Sequence, residues 1–283
     1  PHVKTAKSSE VARLMHGGSP GPVTVSTLKE AEYFLAHGFD DLLYAVGLAP
    51  NKFARAAALV RAGARLQVIV DGVAMASAFR EFCRREGLRI PVLIEIDTDD
   101  HRAGIRPESE ELLRTAAALD GLLGGVMTHA GSSYNAVDAS ELRRWARVER
   151  EGVTAAAERL RRAGHAVDAV SLGSTPTALS ADSFAGVSEV RAGVYAFFDL
   201  VMAGLGVCST REIALSVLAS VIGHQEGKGW LVTDAGRMAL SRDRGTQGQP
   251  IDRGYGLVCD ARGEPLDELI VVDANQEHGI VAA

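Results

Sequence analysis

Cysteine is scarce in this 283-residue chain: Cys83, Cys208 and Cys259 are the three present, scattered and in no Cys-x-x-Cys spacing. A disulfide framework or a zinc knuckle does not fit that count and spacing, and a reducing cytoplasm does. Long apolar runs are lacking too. None reaches transmembrane length, and no signal-peptide pattern opens the sequence, so a membrane is not an expected partner. Aromatics make up 5% of the chain, the formal charge is -6, and no basic patch carries interleaved aromatics. Nucleic acid is therefore not an expected partner either. The dense basic runs, "REFCRREG" and "AERLRRAG", lie where helical patterns end, and cations there suit the helix dipole. Glycine is missing from "HVKTAKSS", where a dinucleotide-binding doubly wound sheet would need it in its first strand-to-helix turn.

What is present is a strict alternation. "HVKT", "VTVS", "DLLYAV", "LQVIVD", "VLIEID", "GGVMTH", "AVSLG" and "SEVRAG" read as short strands, separated by alanine-rich amphipathic stretches ending in glycine. In "TLKEAEYFLAHG", Thr27 and Glu30 have capping-box spacing and Gly38 supplies a stop. Eight strands alternating with helices predict an α/β fold of parallel units closing as a (β/α)8 TIM-type barrel over residues 1–205. From about residue 206 to 283 the grammar changes. "REIALSVLASVIGH", "GWLVTDAG", "GYGLVCDARGEP" and "DELIVVDANQEHG" read as strands joined by glycine-rich turns, with "DARG" as a hairpin signal. They predict an antiparallel β domain. It is expected to be partial, because the chain stops at "GIVAA" straight after a strand-like segment and opens in mid-strand at "PHVKT".

In such barrels, working residues lie at the C-terminal ends of strands and in the loops that follow. That rim offers Lys4, Arg102, His129, Tyr134 and two small-residue turns, "GSTPT" and "RAGVYAFFD". Each turn alone also reads as an ordinary capped helix start. The two together follow strands seven and eight, where barrels often hold phosphate on backbone amides. Lys4 then separates from Lys7, which reads as an ordinary solvated lysine. An amine at a barrel mouth among other cations has a depressed pKa and can form an imine. A phosphate cradle beside an imine-forming lysine suggests pyridoxal 5'-phosphate (PLP). His129 is either a base, a cofactor contact or a structural histidine. Tyr134 is either a cofactor contact or an aromatic capping the barrel. Arg102 either binds a substrate carboxylate or the cofactor, or pairs with Asp97, Asp99 or Asp100.

With those residues in place the pattern resembles a known family. "PHVKTAK", "EIDTDDHRAGIRP", "THAGSSYNA", "SLGSTPT", "EVRAGVYAFFD", "SVIGH", "DAGRMALSRDRG" and "QEHG" are similar, in order, to segments of the D-serine dehydratase and D-threonine aldolase family. These are PLP enzymes of fold type III with an alanine racemase-like barrel. "THAGSSYNA" stands closer to the dehydratase branch. Ala6, Ala192 and Val194 depart from the residues usual there. The resemblance implies that Lys4 is the Schiff-base lysine and Tyr134 a cofactor contact. It also implies that Thr175, Gly193 and the Val194 amide hold the phosphate, with Ser174 and Tyr195 close by. It further implies a divalent metal, Zn or Mn, whose His-x-Cys or His-x-Asp ligands would lie beyond Ala283; His278 belongs to "EHG" and is not promoted to ligand.

The activity this implies is a PLP-dependent lyase acting on a small D-β-hydroxy amino acid. D-Serine dehydratase chemistry, giving a keto acid and ammonia, is the first expectation. Cleavage to glycine and an aldehyde, as in a D-threonine aldolase, is the alternative. Lys4, Arg102 and His129 are the catalytic candidates. A racemase would need a second acid/base for which no candidate stands out, and a non-catalytic PLP carrier would not need the β domain. A homodimer is the expected assembly.

Overall fold

Each strand of the first part is short and β-branched, and each helix after it carries one apolar stripe. The computed structural model describes residues 1–282, without the side chains at 267 and 268. Two compact units emerge, one of residues 1–133 and 142–196, the other of residues 134–141 and those from 197 onward.

In the first unit the elements run α1 (Ser9–Met15), β1 (Val23–Val25), α2 (Leu28–Ala36), β2 (Asp41–Tyr44), α3 (Phe53–Arg61), β3 (Arg65–Val70) and α4 (Val73–Glu86). They continue as β4 (Val92–Ile96), α5 (Glu110–Leu119), β5 (Leu123–Thr128), α6 (Ala139–Arg162), β6 (Ala169–Leu172), α7 (Thr175–Ser180) and β7 (Glu189–Val190). The strands pair in parallel in chain order, β1 to β7. Helix starts follow the sequence. The Thr27 hydroxyl accepts from the Glu30 amide at 3.0 Å, while Glu30 Oε2 reaches back to the Ser26 amide at 2.7 Å.

The expected first strand over "HVKT" is corrected. His2 makes one parallel bridge to Thr24, and residues 3–6 turn at once, the Lys7 amide closing on Val3 O at 2.8 Å. Helix α1, capped by Ser8, then begins too soon for a longer strand. That single bridge still closes the ring. His2 N donates to Ala192 O beyond β7 at 2.7 Å, and Val3 N donates to Thr24 O at 2.9 Å on the β1 side. The result is a (β/α)8 TIM-type arrangement with seven regular strands and a one-residue eighth.

Two apolar layers hold it. Outside the sheet, Phe34, Phe39, Leu42, Tyr44, Phe79 and Ile90 pack with the helices, each essentially without solvent contact. Burying each such side chain contributes about 1.5–3 kcal/mol. Inside the ring, Leu43, Ile69, Leu93 and Met127 form a separate cluster, with Ala45 and Ala169 against it. Alternation along each strand sends successive residues to opposite faces, which is why two clusters exist.

The second unit contains a short helix, α8 (Leu200–Gly204), capped by the Asp199 carboxylate, and a five-stranded antiparallel sheet. Its strands are β8 (Val221–Gln225), β9 (Trp230–Thr233), β10 (Leu257–Cys259), β11 (Pro265–Ala274) and β12 (Gly279–Ala282), in the order β10-β11-β12-β9-β8. The "DARG" hairpin forms as its sequence directs: the Asp260 carboxylate accepts the Arg262 and Glu264 amides at 2.8 and 3.0 Å. The reading of "REIALSVLASVIGH" as one strand is corrected. Residues 210–212 form a helical turn tied by Ser209 and Glu212, and pairing starts only at Val221. Leu218 between them is 98% exposed, so its apolar character reports no ladder. "GIVA", which read as a stub after the last strand, is itself β12. No helix among the described residues is long and apolar enough to cross a membrane.

Candidate active site

Strand register builds the site. Parallel pairing places Glu95, Met127, Ser171 and Glu189 in one row across β4 to β7. Since Met127 belongs to the cluster inside the ring, the row faces inward. Two residues further along each chain, on the same face, come Asp97, His129, Gly173 and Arg191. This second row is the C-terminal mouth of the barrel.

Arg191, which sequence reading passed over, is 5% exposed. Its Nε donates to Ser171 Oγ at 2.8 Å, its Nη2 donates to Thr128 O, and Glu189 Oε1 lies 3.8 Å from Nε. One guanidinium thus ties β5, β6 and β7 together and leaves a buried positive charge below the mouth. His129 stands beside it with Nδ1 3.0 Å from Gly173 O. A carbonyl can only accept, so Nδ1 carries the proton and Nε2 presents a lone pair. Burial, with Arg191, Arg102 and Lys4 adding to it, holds the His129 pKa down to about 4 against the pull of the Gly173 carbonyl. His2 is pushed down to about 3, first by burial and then by Lys4, Arg191 and His129. Both imidazoles are therefore neutral at ordinary pH.

Lys4 follows His2 by two residues, its own amide 3.5 Å from His2 Nδ1. The side chain reaches solvent, yet its pKa is lowered, first by desolvation and then by Arg102 and Arg191, with Glu30 opposing. Lys7 is different: it is exposed and paired with Glu30 at 3.4 Å. The proposed pairing of Arg102 with Asp97, Asp99 or Asp100 is corrected. Its partner is Glu95, at 3.6 Å. The three aspartates are engaged elsewhere. Asp97 Oδ1 takes the Asp99 and Asp100 amides, Asp99 Oδ2 takes the Ser132 amide, and Asp100 pairs with Arg106. Glu95 is buried, which raises its pKa against the opposing pull of Arg102.

The two small-residue turns meet. Ser174 caps α7 in a full capping box with Thr177, and its hydroxyl also lies 3.1 Å from Ser133 Oγ. Thr175 is 1% exposed, and its Oγ1 accepts the Tyr195 amide at 3.3 Å, joining the turn after β6 to the turn at 194–196. Gly193 is buried against the Lys4 loop: a Cβ there would sit 2.6 Å from His2 O and 3.1 Å from Thr5 Oγ1. Its amide and that of Val194 donate to no protein acceptor among the described hydrogen bonds. Such orphan donors in a glycine turn suit an anion. A phosphate on these amides and an aldehyde at Lys4 are the two ends of PLP, so these residues fit that cofactor. Tyr134, the remaining cofactor candidate, belongs to the second unit and is half-buried in the helical stretch Gly131–Asn135.

Between the loops after β5 and β6 lies Glu149 of α6, also missed. It has no solvent contact, and its Oε1 accepts the Ala130 amide at 2.9 Å and the Gly173 amide at 3.2 Å. The signal was present: Leu142, Ala146, Glu149, Val153 and Ala157 share one helical stripe, which places a carboxyl among apolar residues. For a metal, the described residues contain no group of three or more His, Cys, Asp or Glu able to hold one. A groove of about 450 Å³ between α2 and α3, crossed by the Arg55–Glu32 pair, lies on the outer helices away from this chemistry.

Residues 1–201 match the family model described as alanine racemase, N-terminal domain, and residues 214–283 match the putative serine dehydratase domain. D-threo-3-hydroxyaspartate dehydratase of Delftia sp. is 52% identical over 286 residues, spanning 100% of this chain and 75% of that protein. Its solved structure, of which 76% is covered by 100% of this chain, superposes with a TM-score of 0.98. D-serine dehydratase of Dictyostelium discoideum is 29% identical over 268 residues, spanning 87% of this chain and 67% of that protein. A D-threonine aldolase structure from Filomicrobium marinum, at 24% identity, shares the fold with a TM-score of 0.78 over 100% of this chain and 74% of its own. The chain thus belongs to the D-serine dehydratase and D-threonine aldolase family of PLP-dependent lyases, built on the alanine racemase-type barrel.

Proposed function

We propose that this chain is a dehydratase of D-β-hydroxy amino acids, with a substrate carrying a second carboxylate, such as D-threo-3-hydroxyaspartate, ahead of D-serine. The observation that carries the chemistry is Lys4: an amine with a lowered pKa, beside a buried glycine turn with unclaimed amides. The dicarboxylate preference is supported by the 52% identity to the Delftia enzyme, against 29% to the Dictyostelium one. It is supported too by the positive rim, where Lys4, Arg102 and Arg191 act together on His129.

Lys4 would hold the aldehyde end of PLP. Thr175 and the amides of Gly193 and Val194 would hold its phosphate, with Ser174 and Tyr195 fixing the turns. When bound, PLP draws electrons from the Cα of an attached amino acid, so that a bond at Cα breaks readily. Lys4 Nζ, its pKa lowered first by desolvation, would accept the Cα proton. His129 Nε2, locked as an acceptor by the Nδ1 bond to Gly173, is the second proton-holding atom. Arg102, restrained by Glu95, orients a substrate carboxylate. The proton taken up by Lys4 Nζ would pass to the β-hydroxyl, which leaves as water, and hydrolysis of the product would give a keto acid and ammonia. The described residues do not assemble a metal site, and no step here runs through one. A homodimer forms part of this proposal and is tested by sedimentation.

The second reading is aldol cleavage of the same substrates to glycine and an aldehyde, supported by the aldolases among the relatives. Purified protein with added PLP and divalent metal would be given D-threo-3-hydroxyaspartate, D-serine and D-threonine, with keto acid and aldehyde assayed separately. Keto acid from the first, faster than from D-serine, is expected. Aldehyde without keto acid overturns the dehydratase reading.

A further inference from the structure

We propose that Glu149 is the positioning residue that holds the phosphate-side turn after β6 in register with His129, a role that rests on the PLP reading above. The inference starts from connectivity. A single oxygen, Oε1, collects the Ala130 and Gly173 amides, which lie in the loops after β5 and β6. Ala130 directly follows His129. Gly173 directly precedes Ser174, and its carbonyl meets His129 Nδ1. Gly173 is therefore held through both of its flanking peptides, by Glu149 on its N–H and by His129 on its C=O.

The fold leaves Gly173 little room to move. Gly173 has φ +138, and a Cβ there would lie 2.1 Å from Arg191 O, so the turn is pressed against the next strand. From that fixed point Ser174 reaches Thr177 and Ser133, and Thr175 reaches the Tyr195 amide. A shift at Gly173 moves all of them. The other Glu149 oxygen, Oε2, is buried with no hydrogen-bond partner. A protein keeps an orphaned carboxyl oxygen in its interior at a cost, and the two bridged loops are what the other oxygen returns. Burial also raises the Glu149 pKa, opposed by the Thr177 hydroxyl, the two amides and Arg191.

Two variants separate reach from the carboxyl group itself. Glu149→Gln keeps an acceptor at the position of Oε1, whereas Glu149→Asp keeps the carboxyl but withdraws it by one methylene. Each variant and the parent protein would be stripped of cofactor and titrated with PLP and with pyridoxal, which lacks the phosphate, alongside a thermal melt of the stripped protein. The ratio of PLP to pyridoxal affinity is expected to stay within about 3-fold of the parent in Glu149→Gln. It is expected to fall about 10-fold in Glu149→Asp, as the loss of a buried hydrogen bond would produce. Equal losses for both ligands would mean a purely structural role and overturn the proposal. So would an unchanged ratio in Glu149→Asp, or a Glu149→Gln protein as impaired as Glu149→Asp. A parent protein that binds PLP no better than pyridoxal would refute the cofactor reading instead, which keeps the two failures apart.

Discussion

Gly173→Ala is the most demanding test of the site geometry. Gly173 sits at φ +138, a region side chains rarely adopt, and the added Cβ would meet backbone of Arg191 at 2.1, 2.8 and 2.9 Å. Backbone cannot swing away as a side-chain tip can, and Arg191 is itself tied to Ser171 and Thr128. The unfavourable backbone region costs about 1–3 kcal/mol. The overpacking adds a further 1–3 kcal/mol or so. Together they approach the lower range of a domain's whole stability, about 5–15 kcal/mol. At about 2–4 °C per kcal/mol for a unit of this size, Tm should fall by roughly 4–24 °C. Gly87→Ala is the control. Gly87 closes α4 at φ +63 and nothing lies within 4 Å of its added Cβ, so only the left-handed backbone is penalised, by about 1 kcal/mol. The assay is thermal unfolding of the two variants and the parent without cofactor, followed by PLP titration. If the two variants melt at the same temperature, the close contact with Arg191 carries no weight and the reasoning fails.

Lys4→Ala should abolish the visible absorbance band of protein-bound PLP while stripped protein melts near the parent temperature, because the side chain is exposed; a band that survives refutes the assignment. Arg102→Ala should move the Lys4 pKa upward, though still below that of a free lysine, since desolvation and Arg191 remain. The pH dependence of Lys4 modification by an amine-directed reagent, read by mass spectrometry on cofactor-free protein, checks this. Acid should destabilise the first unit between the ordinary histidine value of 6.5 and about 4, because the unfolded chain then takes up a proton that folded His129 refuses. His129→Gln should remove about 1.4 kcal/mol per pH unit from that slope. Glu95 and Glu149, with raised pKa values, act with the opposite sign: their contribution is present at low pH and lost as pH rises through their folded pKa. An unchanged slope in the variant refutes the histidine assignment.

The barrel was legible because each strand and each helix declares its own period, and caps such as Thr27 mark the joints. The "HVKT" segment misled because β-branched residues announce strand propensity but not how soon the chain must turn to meet α1. "IALSVLAS" misled for the converse reason: apolar alternation requires a partner to become a strand, and Leu218 has none. His129 and the two turns lie just past strand ends that the sequence marks, whereas Lys4 lies in a turn two residues beyond the single His2 bridge. Arg191 could not be placed, because "EVRAG" does not say that a charge points into the ring until Ser171 and Thr128 are seen opposite it. Glu149 was hidden in "RWARVEREG", where so many charges surround it that its place on the apolar stripe is easily overlooked. The Arg102 partner was misassigned since sequence proximity favoured the aspartates, whereas Asp97 and Asp99 are spent on loop amides and Asp100 on Arg106.

The small cluster of Leu43, Ile69, Leu93 and Met127 inside the ring does more than fill space. Met127 stands opposite Glu95 in the register and Leu93 precedes Glu95 by two residues, so the same apolar packing that fills the ring also keeps water from the Glu95 carboxyl and raises its pKa.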